Sequence, residues 1–292
     1  MIKTLQLLFL GCLLFLTGCN KPITAYDNNQ THFMTKFFPA EGSNKDDNKK
    51  YPLIFLFGGS EGGMLFADLE ETSELQHLGY NVVTVGYFGM KGLPKDLNHI
   101  NLNGFEKVLR QYKKYPKVDN NDIGVLGVSK GGELVLLLAS HYSDIHTVVA
   151  IVPAHVAFQA SNITLKSNSS WLYNEKEVPF VTFTRLSMAT IKGVIDGENY
   201  REMHIEALEN KKAVEKARIK VENINGSIYL LSARYDHMWP SMEMSEEIMK
   251  RLKEKKFKHT YEHKTFDSNH FVLEQKGAWQ GVLEFLEKEK GR

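Results

Sequence analysis

Along the chain, short runs of aliphatic and β-branched residues alternate with longer stretches whose apolar positions recur at helical spacing. Residues 52–57, 81–86, 123–128, 147–152, 227–231 and 259–264 read as strands. The first five are apolar nearly throughout rather than every second residue, the pattern of strands buried on both faces. Between them the period changes to 3.6. Residues 68–78 form a predicted helix stopped by Gly79, and residues 102–115 place Phe105, Val108, Leu109 and Tyr112 on one side. Further helices are predicted at 130–141, 241–253 and 277–288, and an edge strand at 31–39. Regular strand–helix alternation of this kind gives a mostly parallel sheet with helices on both faces. The alternation fails once, between residues 154 and about 225, where only a strand-like run at 178–184 and a charged helix at 201–221 are predicted. That interruption is expected to be a cap over the carboxyl edge of the sheet.

The first residues follow a different rule. Lys3 precedes a nearly all-apolar run, residues 5–16, which is short of the ~20 residues a membrane-spanning helix needs. It ends in Leu16-Thr17-Gly18-Cys19, which resembles a bacterial lipobox. The expectation is a signal segment over 1–18, lipidation of Cys19, a polar tether over 19–30, and a folded domain over 31–292. The protein is then held to a membrane of the bacterial envelope, outside the cytoplasm. The competing readings are an ordinary secretory signal or an uncleaved anchor. Cys12 and Cys19 are the only cysteines, so the mature domain has no disulfide and no cysteine nucleophile or metal ligand.

Composition narrows the function. Apolar residues make up 42% and charged residues 24%, enough to build a core. Lys and Arg number 36 against 35 Asp and Glu, and no long basic run occurs, so nucleic acid is not an expected partner. No HExxH or similar carboxylate–histidine spacing suggests a metal, and no cofactor fingerprint is found.

The chemistry gathers at the ends of the predicted strands. Gly127-Val128-Ser129-Lys130-Gly131 lies between an apolar strand and an apolar helix, the setting of a nucleophile elbow. Such a turn lifts the serine hydroxyl clear of the sheet and aims a helix N-terminus at the reacting centre. The Lys130 N–H, lacking an intrahelical partner, is then one oxyanion donor. The second is expected from Phe57-Gly58-Gly59-Ser60-Glu61-Gly62-Gly63, through the N–H of Gly59 or Ser60; a phosphate cradle is the rival reading of that loop. Asp236 lies in the loop after strand 227–231, and His270 precedes the last helix, giving the order Ser, Asp, His. Together these predict an α/β-hydrolase fold with Ser129 as nucleophile, His270 as base and Asp236 as its orienter. Asp267 competes for the acid role but reads as a turn former. His155, His237 and the cap's Trp171 are candidate substrate contacts, and Phe158, Tyr173, Phe180, Phe183 and Met188 are candidate apolar lining.

The segment 87–95, the elbow Ser129-Lys130-Gly131-Gly132-Glu133, Ser170-Trp171, Asp236 to Ser241, and Asn269-His270 resemble the C-terminal domain of the acyl-CoA thioesterase and bile acid-CoA:amino acid N-acyltransferase family. The resemblance runs from about Tyr51 to the end. It implies catalytic roles for Ser129, Asp236 and His270, and a bracing role for Glu133. Acyltransferase members use cysteine where this chain has Ser129, so the resemblance favours hydrolysis. Mammalian members carry an immunoglobulin-like sandwich before this domain, whereas here only a short segment precedes Tyr51. The expected substrate is therefore a small acyl ester or thioester, and not physiologically a coenzyme A thioester. The alternatives are an acyltransferase acting on an amine or alcohol, and a non-catalytic binding lipoprotein. Oligomeric state is not encoded in any of these features.

Overall fold

The strands are β1 (Met34–Phe38), β2 (Tyr51–Phe57), β3 (Asn81–Gly86), β4 (Ile100–Asn101), β5 (Val118–Val128), β6 (Thr147–Ile151), β7 (Trp171–Tyr173), β8 (Lys176–Glu177), β9 (Ser227–Ala233) and β10 (Tyr261–Phe266). The computed structural model describes residues 33–45, 47–160, 167–197 and 199–291. The expected signal segment 1–18, Cys19 and the tether 19–30 lie outside the described residues. Seven strands form one sheet in the order β1-β3-β2-β5-β6-β9-β10. Only β1 runs antiparallel to its neighbour; the other pairs are parallel.

The strand periodicity sorts side chains onto two cores. On β2, Leu53, Phe55 and Phe57 join one apolar cluster while Ile54 and Leu56 join the other. Val148 and Ala150 of β6 face the first, and Val149 and Ile151 the second. Each core has its own helices. The first takes α2 (Asn103–Tyr112), α3 (Lys130–His141) and α7 (Ser241–Glu254); the second takes α1 (Glu70–His77) and α8 (Ala278–Glu289). Burying each large aliphatic or aromatic side chain contributes on the order of 1.5–3 kcal/mol. That is why strands with apolar residues on both faces sit in the middle of the sheet.

Between β6 and β9 the chain departs from the predicted elements. Residues 178–184 do not form a strand; Val181 alone bridges Phe158. Pro179 lacks the N–H that a ladder needs, which confines the pairing to that single bridge. The predicted helix at 201–221 is three pieces: α5 (Arg201–Leu208), α6 (Lys211–Ala217) and a 3-10 turn at Val221–Asn223. Asn210 makes the break, because its side-chain oxygen accepts from the Ala213 N–H at 3.1 Å and caps α6. Before them stands α4 (Met188–Asp196), capped by Ser187 and ended by Gly197 at φ 70°. A second, three-stranded sheet, β4-β7-β8, was not predicted. Its β7–β8 hairpin turns on Asn174 and Glu175, both at positive φ, without the glycine that usually signals such a turn.

Candidate active site

The site starts from the register of β2 against β5. Leu53 pairs with Ile123 and Phe57 with Gly127, so both strands end side by side. The Gly58-Gly59 loop is thereby laid against the turn into α3. A Cβ on Gly127 would collide with the Gly131 carbonyl, and one on Gly131 with the Gly58 carbonyl. These two glycines let strand, loop and helix meet at backbone distance. Between them Ser129 sits at φ 58° and ψ −121°, a strained conformation for a residue with a Cβ. Its N–H donates to Ile151 O at 2.9 Å, and its carbonyl accepts the Glu133 N–H at 3.1 Å. The strain is thus held by the sheet on one side and by α3 on the other.

Asp236 and His270 are brought together from the ends of β9 and β10. His270 Nδ1 lies 2.9 Å from both Asp236 carboxylate oxygens. An Nδ1–H donated to the carboxylate leaves Nε2 as the lone-pair nitrogen. Asp236 is fully buried and His270 nearly so. Asp236 Oδ1 also accepts the N–H of Met238 at 2.9 Å and of Trp239 at 3.3 Å, which fixes the carboxylate. The competing Asp267 accepts from Arg234 Nε at 2.7 Å on the surface instead.

The glycine-rich loop is oriented from beneath by Tyr87. Its hydroxyl donates to Gly58 O at 2.7 Å and is 3.1 Å from Gly59 O. In a trans peptide the N–H points opposite the carbonyl, so the N–H groups of Gly59 and Ser60 face away from Tyr87. The Gly59 N–H is not vacant: it donates to Glu61 Oε1 at 2.7 Å. Glu61 belongs to the exposed tip of the loop, yet its carboxylate is folded inward over Gly58 and Gly59. Burial raises the Glu61 pKa, countered by the N–H groups of Glu61 and Gly59 and by the charge of His270. A Cβ on Gly59 would lie 2.9 Å from Glu61 Oε2 and 3.0 Å from Ser129 Cβ, so the carboxylate and the serine share one small space.

At the start of α3, Lys130 turns its side chain into the protein. Its Nζ donates to Glu133 Oε1 at 2.6 Å, the same oxygen that accepts from Trp171 Nε1 at 2.6 Å. Glu133 Oε2 lies 3.4 Å from the Phe158 N–H. Burial lowers the Lys130 pKa and raises that of Glu133, and each offsets the other. Lys130 is thus half of a buried ion pair that ties α3 to Phe158 and Trp171.

A cavity of about 680 Å³ opens over Ser129. Ser60, Ser129 and Lys130 border it, and Phe158, Phe183, Met203, Met238, Trp239 and α4's Ile191, Val194 and Ile195 make it apolar. Trp239 stacks on Phe158, with ring centroids 6.0 Å apart. Its Nε1 donates to Val152 O at 3.0 Å, helping to hold Val152 at φ 42°, a costly value for a β-branched residue.

Three expected substrate contacts do not border this cavity. Trp171 is fully buried behind the wall, bonded to Glu133, and does not border this cavity. His155 is buried, feels the charges of Arg218 and Glu247, and does not border this cavity. His237 flanks His270 at 6.4 Å between ring centroids, but its successors Met238 and Trp239 are the lining residues. Of the expected lining, Phe158 and Phe183 border the cavity, whereas Tyr173, Phe180 and Met188 do not. Glu61 and Tyr87 carried a signal that was not read: an acidic residue inside a loop of N–H donors, and a tyrosine directly after a buried strand. Among the described residues, no group of three or more His, Cys, Asp or Glu is placed to hold a metal ion.

The parallel sheet, the elbow and the loops at its carboxyl edge define an α/β-hydrolase fold. Solved structures of similar fold include a puromycin-hydrolyzing peptidase of Mycobacterium tuberculosis, with a TM-score of 0.61 at 14% identity over 89% of this chain and 37% of that one. Acetyl xylan esterase 1 from Thermoanaerobacterium is another, with a TM-score of 0.53 at 16% identity over 88% and 78%. Residues 100–274 match the family described as BAAT / acyl-CoA thioester hydrolase C terminal, and the chain belongs to that family. Similar curated proteins include mouse (Mus musculus) acyl-coenzyme A thioesterase 2, mitochondrial, 29% identical over 75% of this chain and 43% of its own length. Peroxisomal succinyl-coenzyme A thioesterase of the same organism is 26% identical over 56% and 36%. The chain thus spans less than half the length of these relatives.

Proposed function

We propose that the protein is a serine hydrolase that cleaves an acyl thioester or carboxylic ester through an acyl-enzyme on Ser129. The reading is carried by the His270–Asp236 pair, at 2.9 Å, together with a strained Ser129 that borders an apolar cavity. The family, and relatives that are acyl-coenzyme A thioesterases, support a thioester as the substrate class. In the proposed reaction Ser129 Oγ attacks the acyl carbonyl while His270 Nε2 takes its proton. The negative oxygen that develops accepts hydrogen bonds from the Lys130 N–H and from the N–H of Gly59 or Ser60. As the carbonyl re-forms, the bond to the thiolate or alkoxide breaks, and His270 returns the proton to the departing group. Water then repeats the sequence, releasing the carboxylic acid and Ser129. Asp236 holds the imidazole in one tautomer and stabilises its charged form. The residues between β6 and β9 act as the cap, with their aromatic and α4 side chains enclosing the acyl group.

The test is hydrolysis of a short-chain thioester and of the matching ester by the folded domain. Ser129→Ala, His270→Ala and Asp236→Asn should each lower kcat by about a thousandfold or more, and double variants little further, because the residues work as a unit. A Ser129→Ala protein that melts like the wild type and keeps its rate would end this reading.

A further inference from the structure

We propose that Glu61 is an internal occupant of the oxyanion loop: in the unliganded protein its carboxylate takes the place the substrate's carbonyl oxygen must enter, and substrate binding displaces it. This rests on the serine-hydrolase reading of the site.

Three observations converge on it. The Gly59 N–H, a donor expected for the oxyanion, already donates to Glu61 Oε1 at 2.7 Å. The other carboxylate oxygen lies over the Gly59 Cα hydrogens, on the side where Ser129 Cβ also approaches. Finally, the loop is built around that anion. Tyr87 holds the carbonyls of Gly58 and Gly59 on the far side, and the N–H groups of Gly59 and Glu61 act on the carboxylate. A loop whose N–H groups converge on a negative oxygen beside a nucleophile is an oxyanion site, and here the negative oxygen is the protein's own.

The arrangement has a cost. A charge-assisted hydrogen bond must be given up before the carbonyl can be polarised. A second anion cannot share the space with Glu61, since like charges that close repel strongly. Burial of the carboxylate, which raises its pKa, weakens its hold and leaves it easier to displace than a solvated acid would suggest. Glu61 lies at the exposed tip of the loop, so an outward rotamer is open to it without moving the sheet.

The experiment compares wild type, Glu61→Ala and Glu61→Gln in ester and thioester hydrolysis, with melting temperatures as a folding control. Glu61→Ala should raise kcat/KM about tenfold, the equivalent of the one charge-assisted bond no longer displaced. Glu61→Gln, which keeps an acceptor but no charge, should fall between the two. Sodium acetate should then slow Glu61→Ala toward the wild-type rate by re-entering the loop, whereas sodium chloride at equal ionic strength should not, and the wild type should respond to neither. A Glu61→Ala protein that is folded but slower than, or equal to, an active wild type overturns the proposal. So does an acetate effect of the same size on both proteins. A wild type that neither hydrolyses these substrates nor reacts at Ser129 with a fluorophosphonate overturns the hydrolase reading itself, and this inference with it.

Discussion

In the proposed hydrolase, Tyr87 positions the glycine-rich loop and does not itself border the cavity. Its hydroxyl restrains two successive carbonyls, those of Gly58 and Gly59, and both glycines are buried. Burial, reinforced by the charges of Glu61 and Glu133, holds the phenol well above its ordinary pKa, so it stays a donor at any working pH. Tyr87→Phe should therefore lower kcat about tenfold while leaving KM within about twofold, because the peptides are needed most when charge develops on the substrate oxygen. It should also cost about 1–3 kcal/mol of stability, the price of leaving a buried acceptor without its donor. A fall in stability with kcat unchanged would make Tyr87 a core residue only. At this scale the sequence was legible where chemistry follows from local context. Ser129 stands between a strand and a helix, and Asp236 and His270 follow strands, so their neighbours along the chain betray them. The contacts of Glu61, Tyr87, Lys130 and Trp171 depend on which way a side chain turns after the sheet has formed, and local pattern holds no record of that.

Among the elements, the central strands were the most legible, because burial on both faces leaves an uninterrupted apolar run. The segment between β6 and β9 was the least. Its pieces are short, its one long charged stretch is divided by a single asparagine cap, and its bridge to Phe158 uses one residue. It also hides a pH dependence. His155, read as a substrate contact, is buried with its Nδ1 unpartnered, and burial, aided by Arg218 and Lys211 and opposed by Glu247, lowers its pKa to about 4. The folded state thus refuses a proton that the unfolded chain accepts near pH 6.5. Stability contributed by neutral His155 is complete above that value and is lost as pH falls toward 4, at about 1.4 kcal/mol per unit. Denaturant unfolding should show a loss of about 2 kcal/mol between pH 7 and pH 5 that is absent in a folded His155→Gln variant. His204, lowered to about 4 chiefly by burial, adds to the same trend, but its ring borders the cavity, where water screens part of the effect. An identical pH response in His155→Gln and wild type would assign the loss to other groups.

At the scale of the whole molecule, the proposed hydrolysis raises the question of what the acyl group arrives on. The near balance of charge gives no long-range attraction for a polyanion. Around the cavity the cations are Arg185 and Lys130, and the Lys130 ammonium is already committed to Glu133 at 2.6 Å. Among the described residues at the lining, Arg185 alone is left to meet phosphate oxygens, whereas the walls offer aromatic and aliphatic surface suited to an acyl chain. Recognition should therefore concentrate on the acyl group and the scissile bond, with little contribution from a nucleotide carrier. Lengthening the acyl chain should raise kcat/KM until the cavity is filled, at about 0.8 kcal/mol for each methylene buried. Exchanging a coenzyme A leaving group for a simple thiol of similar acidity should change kcat/KM by less than a hundredfold for the same acyl group. The measurement is a pair of saturation curves on the same preparation, at two salt concentrations, since phosphate contacts weaken with ionic strength and acyl contacts do not. A preference for the coenzyme A thioester of a hundredfold or more, worth about 2.7 kcal/mol of transition-state binding, that fades with salt would locate a carrier site outside the cavity. It would mean that the surface around the mouth, and not the cavity alone, selects the substrate.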